Sequence, residues 1–354
     1  MYLKTKPLNF GNQVFSVGID THKKSWNVTI RCNSLQLKRF SMNPSPTELS
    51  VYMHRNYPGG TYRSVYEAGF CGYWIHRELA QLGFANIICN AADVPTSNKE
   101  KDRKSDPIDS AKLSRELENV SLKGIYVVTP QQEALRSLSR LVRQYSQRST
   151  QIKNRIKSLL NFVGCCMPEG YETAHWSMNY IKMLKGLVFK EDMNRLILDN
   201  HLEELEYIRA KKLLLLRKVR KICRETPTIR LLRTIPGVGL ITSFILYTEI
   251  VDIKRFNGLD ELCAFIGLVP STSSSGAKEY TNGITKRHNR YLRNILIESS
   301  WVAARMDPAM TAAFNNLTKR LSKQRAIVRI AKKLTNRIRW VWLHQKKYVT
   351  AVVE

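Results

Sequence analysis

The order of apolar segments near the N-terminus constrains the fold of this chain most strongly. Val14–Ile19, Trp26–Arg31 and Leu35–Phe40 have strand character, and the connections between them are too short to hold a helix. After these segments, helical and strand-like patterns alternate. They begin with a helix start in Asn43–Thr47 and continue with strand Tyr62–Tyr66, helix Tyr73–Leu82, strand Phe84–Cys89 and helix Asp106–Leu117. A strand meander followed by alternating helices and strands predicts an α/β domain.

Four acidic residues occupy particular places in this order. Asp20 and Glu67 each directly follow a predicted strand, and Asp106 and Asp109 lie on the first turn of the last helix. Carboxylates at strand ends and on one helical face can meet at one point, where a divalent cation would hold them together. Individually, such residues are more often turn caps, and Asp106 could simply be the N-cap before Pro107. Together, they favour a metal site in a domain that is typical of the ribonuclease H-like fold.

The charge of the chain indicates its kind of partner. The formal net charge is +28, with 57 Lys and Arg against 29 Asp and Glu, which favours a polyanion. A basic membrane-surface protein is the alternative, but neither terminus has an amphipathic anchor or a secretory signal. The most apolar stretch, Ile235–Val251, contains Pro236 and Glu249 and is expected to be a turn followed by a buried helix. Seven cysteines without metal-ligand spacing predict a reduced, cytoplasmic protein.

Two long helices are predicted between about residues 131 and 225. Apolar residues recur at alternating steps of three and four, which is the spacing of a coiled-coil seam. The first series is Leu135, Leu138, Val142, Tyr145, Ile152, Ile156, Leu159 and Val163, and the second is Leu198, Leu202, Leu205, Ile208, Leu215, Val219 and Ile222. The two series could form an antiparallel hairpin within the chain or pair between subunits.

Positive charge flanks the first seam. No acidic residue occurs between Ala134 and Pro168. A face of one sign suits phosphates, because counterion release then supplies affinity, although a merely solvated face is the alternative. The candidate nucleic-acid contacts are Arg136, Arg140, Arg143, Arg148, Lys153, Arg155 and Lys157. The segment from Pro308 to Val353 also lacks acids, and its Trp340 is expected in the core.

The last third of the chain is predicted to be a compact helical domain. Pro236-Gly-Val-Gly239 resembles the hairpin of helix-hairpin-helix modules, in which backbone N–H groups at Gly237 and Gly239 would contact a phosphate. A simple tight turn is the alternative. Helices are expected at Ile241–Ile250 and Leu259–Ile266, and a Ser/Thr/Gly/Lys-rich loop from Gly267 to Arg290.

The fold class is therefore α/β plus α. It comprises a ribonuclease H-like (RuvC-like) N-terminal domain, a long coiled-coil middle region and a helical C-terminal domain with a helix-hairpin-helix-like motif. The expected domains are residues 1–128, 129–225 and 226–354.

Six short motifs, in this order, resemble the insertion-sequence one-ten family of DEDD RuvC-like transposases. This family includes bridge-RNA-guided recombinases and is related to Piv-type DNA invertases. In the first domain the motifs are Val17-Gly-Ile-Asp-Thr-His22, Tyr66-Glu-Ala-Gly69 and Lys104-Ser-Asp-Pro-Ile-Asp-Ser-Ala-Lys-Leu113. In the last domain they are Ile235-Pro-Gly-Val-Gly239, Phe265-Ile-Gly-Leu-Val-Pro270 leading into Ser274-Ser-Gly276, and Gly283-Ile-Thr-Lys-Arg-His-Asn289. His288 stands where a glycine is common in the family.

The resemblance implies a mechanism. Asp20, Glu67, Asp106 and Asp109 would form a DEDD site for Mg²⁺ or Mn²⁺. Ser275 would be the nucleophile, or Ser274 if the alignment shifts by one residue. A serine hydroxyl needs a base or a metal for activation, which the metal site of a partner subunit would supply. Strand cleavage would leave DNA covalently joined to the serine.

The resemblance also implies the partners of the chain. These are double-stranded DNA at element ends and targets, a structured guide RNA and further copies in a dimer or tetramer, without a membrane. Lys286 and Arg287 would add nucleic-acid contacts, and the expected location is the bacterial or archaeal cytoplasm, at the nucleoid. A site-specific DNA invertase, a RuvC-like junction resolvase that uses water, and a non-enzymatic architectural protein are the alternatives.

Overall fold

The computed structural model describes residues 8–95, 106–165, 167–170, 175–275, 278–285 and 288–350. The side chains of residues 106, 107 and 271–282 are outside this description. The chain divides into two compact units, Met1–Val128 and Thr129–Glu354. The proposed separation of the second unit at residue 225 stays a prediction.

The first unit is built on a five-stranded sheet with strand order β3-β2-β1-β4-β5. Its elements are β1 (Val14–Thr21), β2 (Trp26–Cys32), β3 (Leu35–Met42), α1 (Pro46–Asn56), β4 (Thr61–Glu67), α2 (Trp74–Gln81), β5 (Ala85–Cys89) and α3 (Asp106–Glu118). The first three strands are antiparallel neighbours, and β4 and β5 extend the sheet in parallel to β1. The predicted meander and alternation are confirmed, and this topology fits a ribonuclease H-like domain.

Both faces of the sheet are covered by helices. On one face Phe15, Val17 and Ile19 of β1 pack with residues of α1 and α2 such as Leu49 and Leu79. On the other face Val65 and Cys89 pack against Leu113 and Leu117 of α3. Because side chains alternate along each strand, the residues of the sheet form two separate cores, a larger one under α1 and α2 and a smaller one under α3.

The second unit begins with two long helices, α4 (Pro130–Phe162) and α6 (Asp192–Glu225), with the short α5 (Met178–Lys185) between them. Ile152 and Ile156 near the end of α4 share a core with Leu198 and Leu202 near the start of α6. At the other end, Val142 of α4 meets the C-terminal part of α6. The helices are therefore antiparallel within one chain, which is the first of the two predicted arrangements. Helix α5 was not predicted.

The remaining elements of the second unit are mostly helical. They are α7 (Pro227–Leu232), α8 (Leu240–Ile250), α9 (Leu259–Ile266), β6 (Pro270–Ser275), β7 (Lys278–Ile284), α10 (Arg290–Met306), α11 (Pro308–Thr318) and α12 (Lys323–His344). The predicted turn and buried helix in Ile235–Val251 are confirmed. None of the helices in the described part of the chain is long and apolar enough to cross a membrane.

The expected loop from Gly267 to Arg290 is wrong over most of its length. β6 and β7 pair antiparallel there, with Thr272 opposite Thr281 and Ser274 opposite Glu279. Composition does not predict this ribbon, because its residues show no apolar pattern. Pairing between the two strands stabilises it instead.

Candidate catalytic site

The parallel pairing of β1 and β4 brings Asp20 and Glu67 to the same place. Gly18 lies opposite Val65, and Ile19 lies opposite Tyr66. One further step in this register sets Asp20 beside Glu67, on neighbouring strands about 4.8 Å apart. Because side chains alternate, both carboxylates belong to the face that α3 covers.

Helix α3 crosses this face antiparallel to β1. The Ser110 and Thr29 hydroxyl oxygens are 2.9 Å apart, and Thr29 lies opposite Gly18 in the sheet. Eight residues further along the helix, Glu118 accepts a hydrogen bond of 2.8 Å from Arg31 Nε. Arg31 follows Thr29 along β2, so α3 runs in the same direction as β2. Because β2 is antiparallel to β1, α3 is antiparallel to β1 as well.

This direction places the first turn of α3 at the carboxylate end of β1. Asp106 precedes Ser110 by four residues, a helical rise of about 6 Å. Asp20 follows Gly18 by two residues, a strand rise of about 6.6 Å. The backbone thus brings Asp106 and Asp109 to the level of Asp20.

The close approach of α3 depends on Gly18. A Cβ atom at this position would lie 2.2 Å from the Ser110 carbonyl oxygen and 2.4 Å from the Ser114 nitrogen. Only a residue without a side chain lets the helix backbone rest on the strand here. The glycine of the Val17-Gly-Ile-Asp motif therefore positions the helix that carries two of the four carboxylates.

Two of the carboxylates have basic neighbours. Asp20 Oδ2 is 3.2 Å from His22 Nε2, and Asp109 Oδ1 accepts a hydrogen bond of 3.3 Å from Lys112 Nζ. Among the described side chains, no group of three or more His, Cys, Asp or Glu residues is close enough to hold a metal ion. The Asp106 side chain lies outside that description.

The chemistry of the donors fits a hard cation. Carboxylate oxygens are the ligands that Mg²⁺ and Mn²⁺ prefer. The nearby Cys89 lies opposite Glu67 in the sheet, but burial, aided by the charge of Glu67, raises the pKa of its thiol to about 12. In the absence of a metal ion this thiol is therefore protonated at neutral pH.

Ser274 and Ser275 lie at the end of β6, at the tip of the β6–β7 ribbon. The backbone places Ser275 opposite Lys278, and Gly276 lies outside the described residues. The backbone therefore places both candidate nucleophiles at the end of the same strand, and the register alone does not choose between them.

The base of the ribbon is held firmly. Arg293 on α10 donates hydrogen bonds to the Gly267 carbonyl at 3.1 Å and to the Thr285 carbonyl at 2.8 Å. Gly267 has a φ of +89°, and a Cβ there would lie 2.2 Å from the His288 Cβ. His288 thus packs on the base of the ribbon. These contacts fix where the ribbon leaves the helical core.

Two of the basic candidates on α4 have structural contacts. Arg140 binds the buried Glu249 of α8 through both carboxylate oxygens, at 2.8 and 3.0 Å. Arg136 donates to the Thr248 carbonyl at 3.1 Å, and Asn289 donates to Glu249 at 3.0 Å. These contacts join α4, α8 and the start of α10. Sequence reasoning missed this role, although a lone acid inside an apolar helix is a signal for a cationic partner.

The next basic residues along α4, which are further candidates for nucleic-acid contacts, form a positive surface. Arg148, Arg155 and Lys157 are exposed, and Arg143 lies over the Tyr291 ring at 4.5 Å. The pKa of Lys153 is lowered, first by burial and then by the charges of Arg209, Lys212 and Lys157. Positive charge on this surface is therefore only partly compensated, which suits an anionic ligand.

The turn between α7 and α8 is tightly packed. Gly237 has a φ of +85°, and a Cβ there would lie 2.4 Å from the Ser299 carbonyl oxygen of α10. Gly239 is the N-cap of α8 and supplies no side-chain oxygen to the first N–H groups of that helix. The turn borders a groove of about 680 Å³. Lys286 and Arg287 lie outside the described residues.

Comparison with known proteins gives two matches in the same order as these features. Residues 17–164 match the sequence model of the DEDD transposases of the IS110 type, and residues 229–315 match that of the IS116/IS110/IS902 transposase family. The first match contains all four carboxylates, and the second contains the α7–α8 turn and the ribbon.

Individual relatives agree with these matches. The protein y4rJ of Sinorhizobium fredii is 28% identical over 76% of this chain and 74% of its own length. The transposase for insertion sequence element IS1111A of Coxiella burnetii is 27% identical over 67% of this chain and 65% of its own length. The transposase for insertion sequence element IS1328 of Yersinia enterocolitica is 25% identical over 81% and 83%. The chain therefore belongs to the IS116/IS110/IS902 family of insertion-sequence transposases, enzymes that cut and rejoin DNA.

Proposed function

We propose that this transposase cuts and rejoins DNA through a covalent serine–DNA intermediate, with Ser275 as the nucleophile. Asp20, Glu67, Asp106 and Asp109 would hold Mg²⁺ or Mn²⁺. The observation that carries the proposal is the convergence of β1, β4 and the start of α3 on one end of the sheet. The resemblance to DEDD transposases supplies the role of the serine.

In this proposal the residues of the chain have distinct tasks. The four carboxylates would bind the cation, which stabilises negative charge on the phosphate when bound. The Ser275 hydroxyl would lose its proton and form an O–P bond, while the bond from phosphorus to the bridging sugar oxygen breaks and that oxygen takes up a proton. Rejoining would reverse this exchange with another strand. Because the number of phosphodiester bonds is conserved, no external nucleotide is required.

Nucleic acid would be bound by the second unit. The surface around Lys153, with Arg148, Arg155 and Lys157, offers charge to phosphates, and the N–H groups at Gly237 and Gly239 offer hydrogen bonds. We include Lys286 and Arg287 in this interface, together with double-stranded DNA and a structured guide RNA as partners. The active site would be shared between copies of the chain, so that the carboxylates of one copy act together with the serine of another.

A strand-transfer assay on an element end tests the assignment of the serine. Ser275→Ala should abolish strand joining, whereas Ser274→Ala, the matched control, should retain it. Hydrolysis of the substrate by both variants at the wild-type rate would favour a junction resolvase that uses water. Loss of joining in Ser274→Ala alone would move the nucleophile by one residue.

A further inference from the structure

Helix α12 carries an exposed tryptophan on its basic outer face. Lys333, Arg337, Trp340 and His344 follow each other at steps of four, three and four residues, so they share one face of the helix. Trp340 is 45% exposed, whereas the next residue, Val341, is fully buried. A single exposed ring is common on protein surfaces, so the surroundings of Trp340 decide whether it has a role.

A small cavity lies beside the Trp340 ring. Its volume is about 200 Å³. The residues that line it are Arg337, Trp340, Lys347, Tyr348 and Val349. The His344 ring stacks on the Trp340 ring, with the centroids 4.8 Å apart and an angle of 24° between the planes. His344 does not line the cavity, so the cavity borders the Trp340 ring where His344 leaves it open. The cavity thus offers two aromatic rings and two cationic side chains to one ligand.

Hydrogen bonds hold the walls of this cavity in place. The backbone N–H of Tyr348 donates to Thr234 Oγ1 at 2.9 Å, and the Tyr348 hydroxyl donates to Asp307 Oδ2 at 2.6 Å. Arg337 donates to the same carboxylate oxygen and lies over the Tyr348 ring, with its Cζ atom 5.3 Å from the ring centroid. These side chains are therefore ordered before a ligand arrives, which lowers the entropic cost of binding.

The charge around the cavity favours an anionic ligand. Between Pro308 and Val353 the chain has eleven Lys or Arg residues and no acid. Asp307 is buried, and Arg337 already compensates its charge. Within the described residues, Lys347 forms no ion pair. A ligand with a planar aromatic part and a negative charge fits this surface.

The cavity adjoins the groove at the α7–α8 turn. Thr234 lines that groove and accepts the hydrogen bond from Tyr348, which lines the cavity. A strand whose phosphates contact the N–H groups at Gly237 and Gly239 would therefore pass beside the cavity. The two features can bind successive parts of one nucleic acid.

We propose that this cavity binds an unpaired nucleobase, stacked on the Trp340 ring, with a neighbouring phosphate near Lys347. The site would act in the nucleic-acid binding that is proposed above for the second unit, and the inference rests on that function. Bases within a duplex stack on each other, and only a base outside the duplex presents its face to a side chain. The ligand is therefore a base in a loop, a bulge or a single strand.

An acidic peptide is the competing ligand. Its carboxylates would pair with Lys347, but the negative face of the Trp340 ring would repel them. A nucleotide uses the ring through its base and the cation through its phosphate. The observations therefore favour a nucleotide.

Quenching of a fluorescent base tests the site in the full-length chain. The probes are an RNA and a DNA hairpin with one aminopurine in the loop, which loses fluorescence when it stacks on an aromatic ring. The wild type should quench this base. Trp340→Leu should abolish the quenching and raise the dissociation constant of the hairpin at least about fivefold. Trp340→Phe should retain part of the quenching, because a smaller ring remains.

Two controls isolate the contribution of the ring. Trp74→Leu removes an exposed Trp of the first unit and should behave as the wild type does. Lys347→Gln should weaken hairpin binding but leave the quenching at saturation intact, because the ring is still present. Quenching with only one of the two hairpins supports the site and identifies the nucleic acid that it holds.

The outcomes separate this site from the other proposals. Binding of the hairpins without quenching, or equal quenching by the wild type and Trp340→Leu, would overturn the site. An equal loss of affinity of Trp340→Leu for an uninterrupted duplex would also overturn it. Failure of the wild type to bind any hairpin or duplex would instead contradict nucleic-acid binding by the second unit. These measurements need neither Ser275 nor a metal ion, so failure of the serine mechanism would leave them unaffected.

Discussion

Gly18 is the residue on which the geometry of the carboxylates depends most. Gly18→Ala would set a Cβ 2.2 Å from the backbone of α3, so the helix must move. We expect a loss of about 1–3 kcal/mol in the free energy of unfolding, as for other overpacked sites. Chemical denaturation measures this loss. Gly69→Ala is the control, because its Cβ would meet nothing closer than 3.8 Å, and an equal loss there would contradict the argument.

Glu249 carries a buried charge, and removing that charge would leave the charges of its two Arg partners uncompensated. Glu249→Gln keeps the shape of the side chain but removes the charge that Arg136 and Arg140 compensate. We expect the free energy of unfolding to fall by about 2–3 kcal/mol. Glu225→Gln, which removes an exposed pair with Lys221 at 3.9 Å, should cost less than about 0.5 kcal/mol. Equal stabilities of the two variants would show that the buried network has no net effect.

Tyr348 should give the stability of the second unit a distinctive pH dependence. Its hydroxyl donates a hydrogen bond of 2.6 Å to Asp307 Oδ2, and burial, together with this hydrogen bond, raises its pKa to about 12. The folded state therefore holds this proton more tightly than the unfolded state does, where the pKa is about 10. The resulting stability is present below pH 10 and is lost as the pH rises to about 12.

Thermal unfolding of the wild type and Tyr348→Phe across this range isolates the contribution of Tyr348. The difference in melting temperature between the two should shrink as the pH rises from 10 to 12. A difference that stays constant over the range would mean that Asp307 and Tyr348 are not coupled in solution.

At the scale of elements, strands and helices with clear apolar periodicity could be predicted from the sequence. The chain order of β1–β5 and the two long helices α4 and α6 follow from such periods, whereas the antiparallel pairing of these helices within the chain was one of two predicted arrangements. The β6–β7 ribbon could not be predicted, because hydroxyl-rich strands show no apolar alternation. Trp340 was expected in the core but is 45% exposed, whereas Trp342, two residues later on α12, is buried. The two residues lie on different faces of the helix, which composition alone does not distinguish.

The candidate site, like the fold, could be predicted from the sequence only in part. The arrangement of the backbone, with Asp20 and Glu67 at neighbouring strand ends and the first turn of α3 at their level, follows from strand ends and helical spacing, which sequence periodicity reveals. The structural role of Arg136 and Arg140 does not, because their partner Glu249 is more than one hundred residues away in the chain. Ser275 was identified only through the resemblance, since its neighbours are chemically equivalent serines.

At the scale of the whole molecule, metal binding should stabilise the first unit. A cation that binds only the folded state adds about 2.7 kcal/mol when its concentration is 100 times its dissociation constant. Mg²⁺ or Mn²⁺ should therefore raise the melting temperature of the wild type but not of Asp20→Asn. Glu78→Gln, an exposed change on α2, should respond as the wild type does. A metal-dependent shift that persists in Asp20→Asn would place the cation elsewhere.

The central claim is that a serine of the second unit takes up the DNA strand while carboxylates of the first unit bind the cation. It is tested most directly by denaturing the full-length enzyme during reaction with labelled DNA and mapping the linked residue by mass spectrometry. The account predicts a nucleotide adduct at Ser275, present with Mg²⁺ or Mn²⁺ and absent in Asp20→Asn. An adduct at another residue, or strand joining in an active preparation that never yields an adduct, would contradict it.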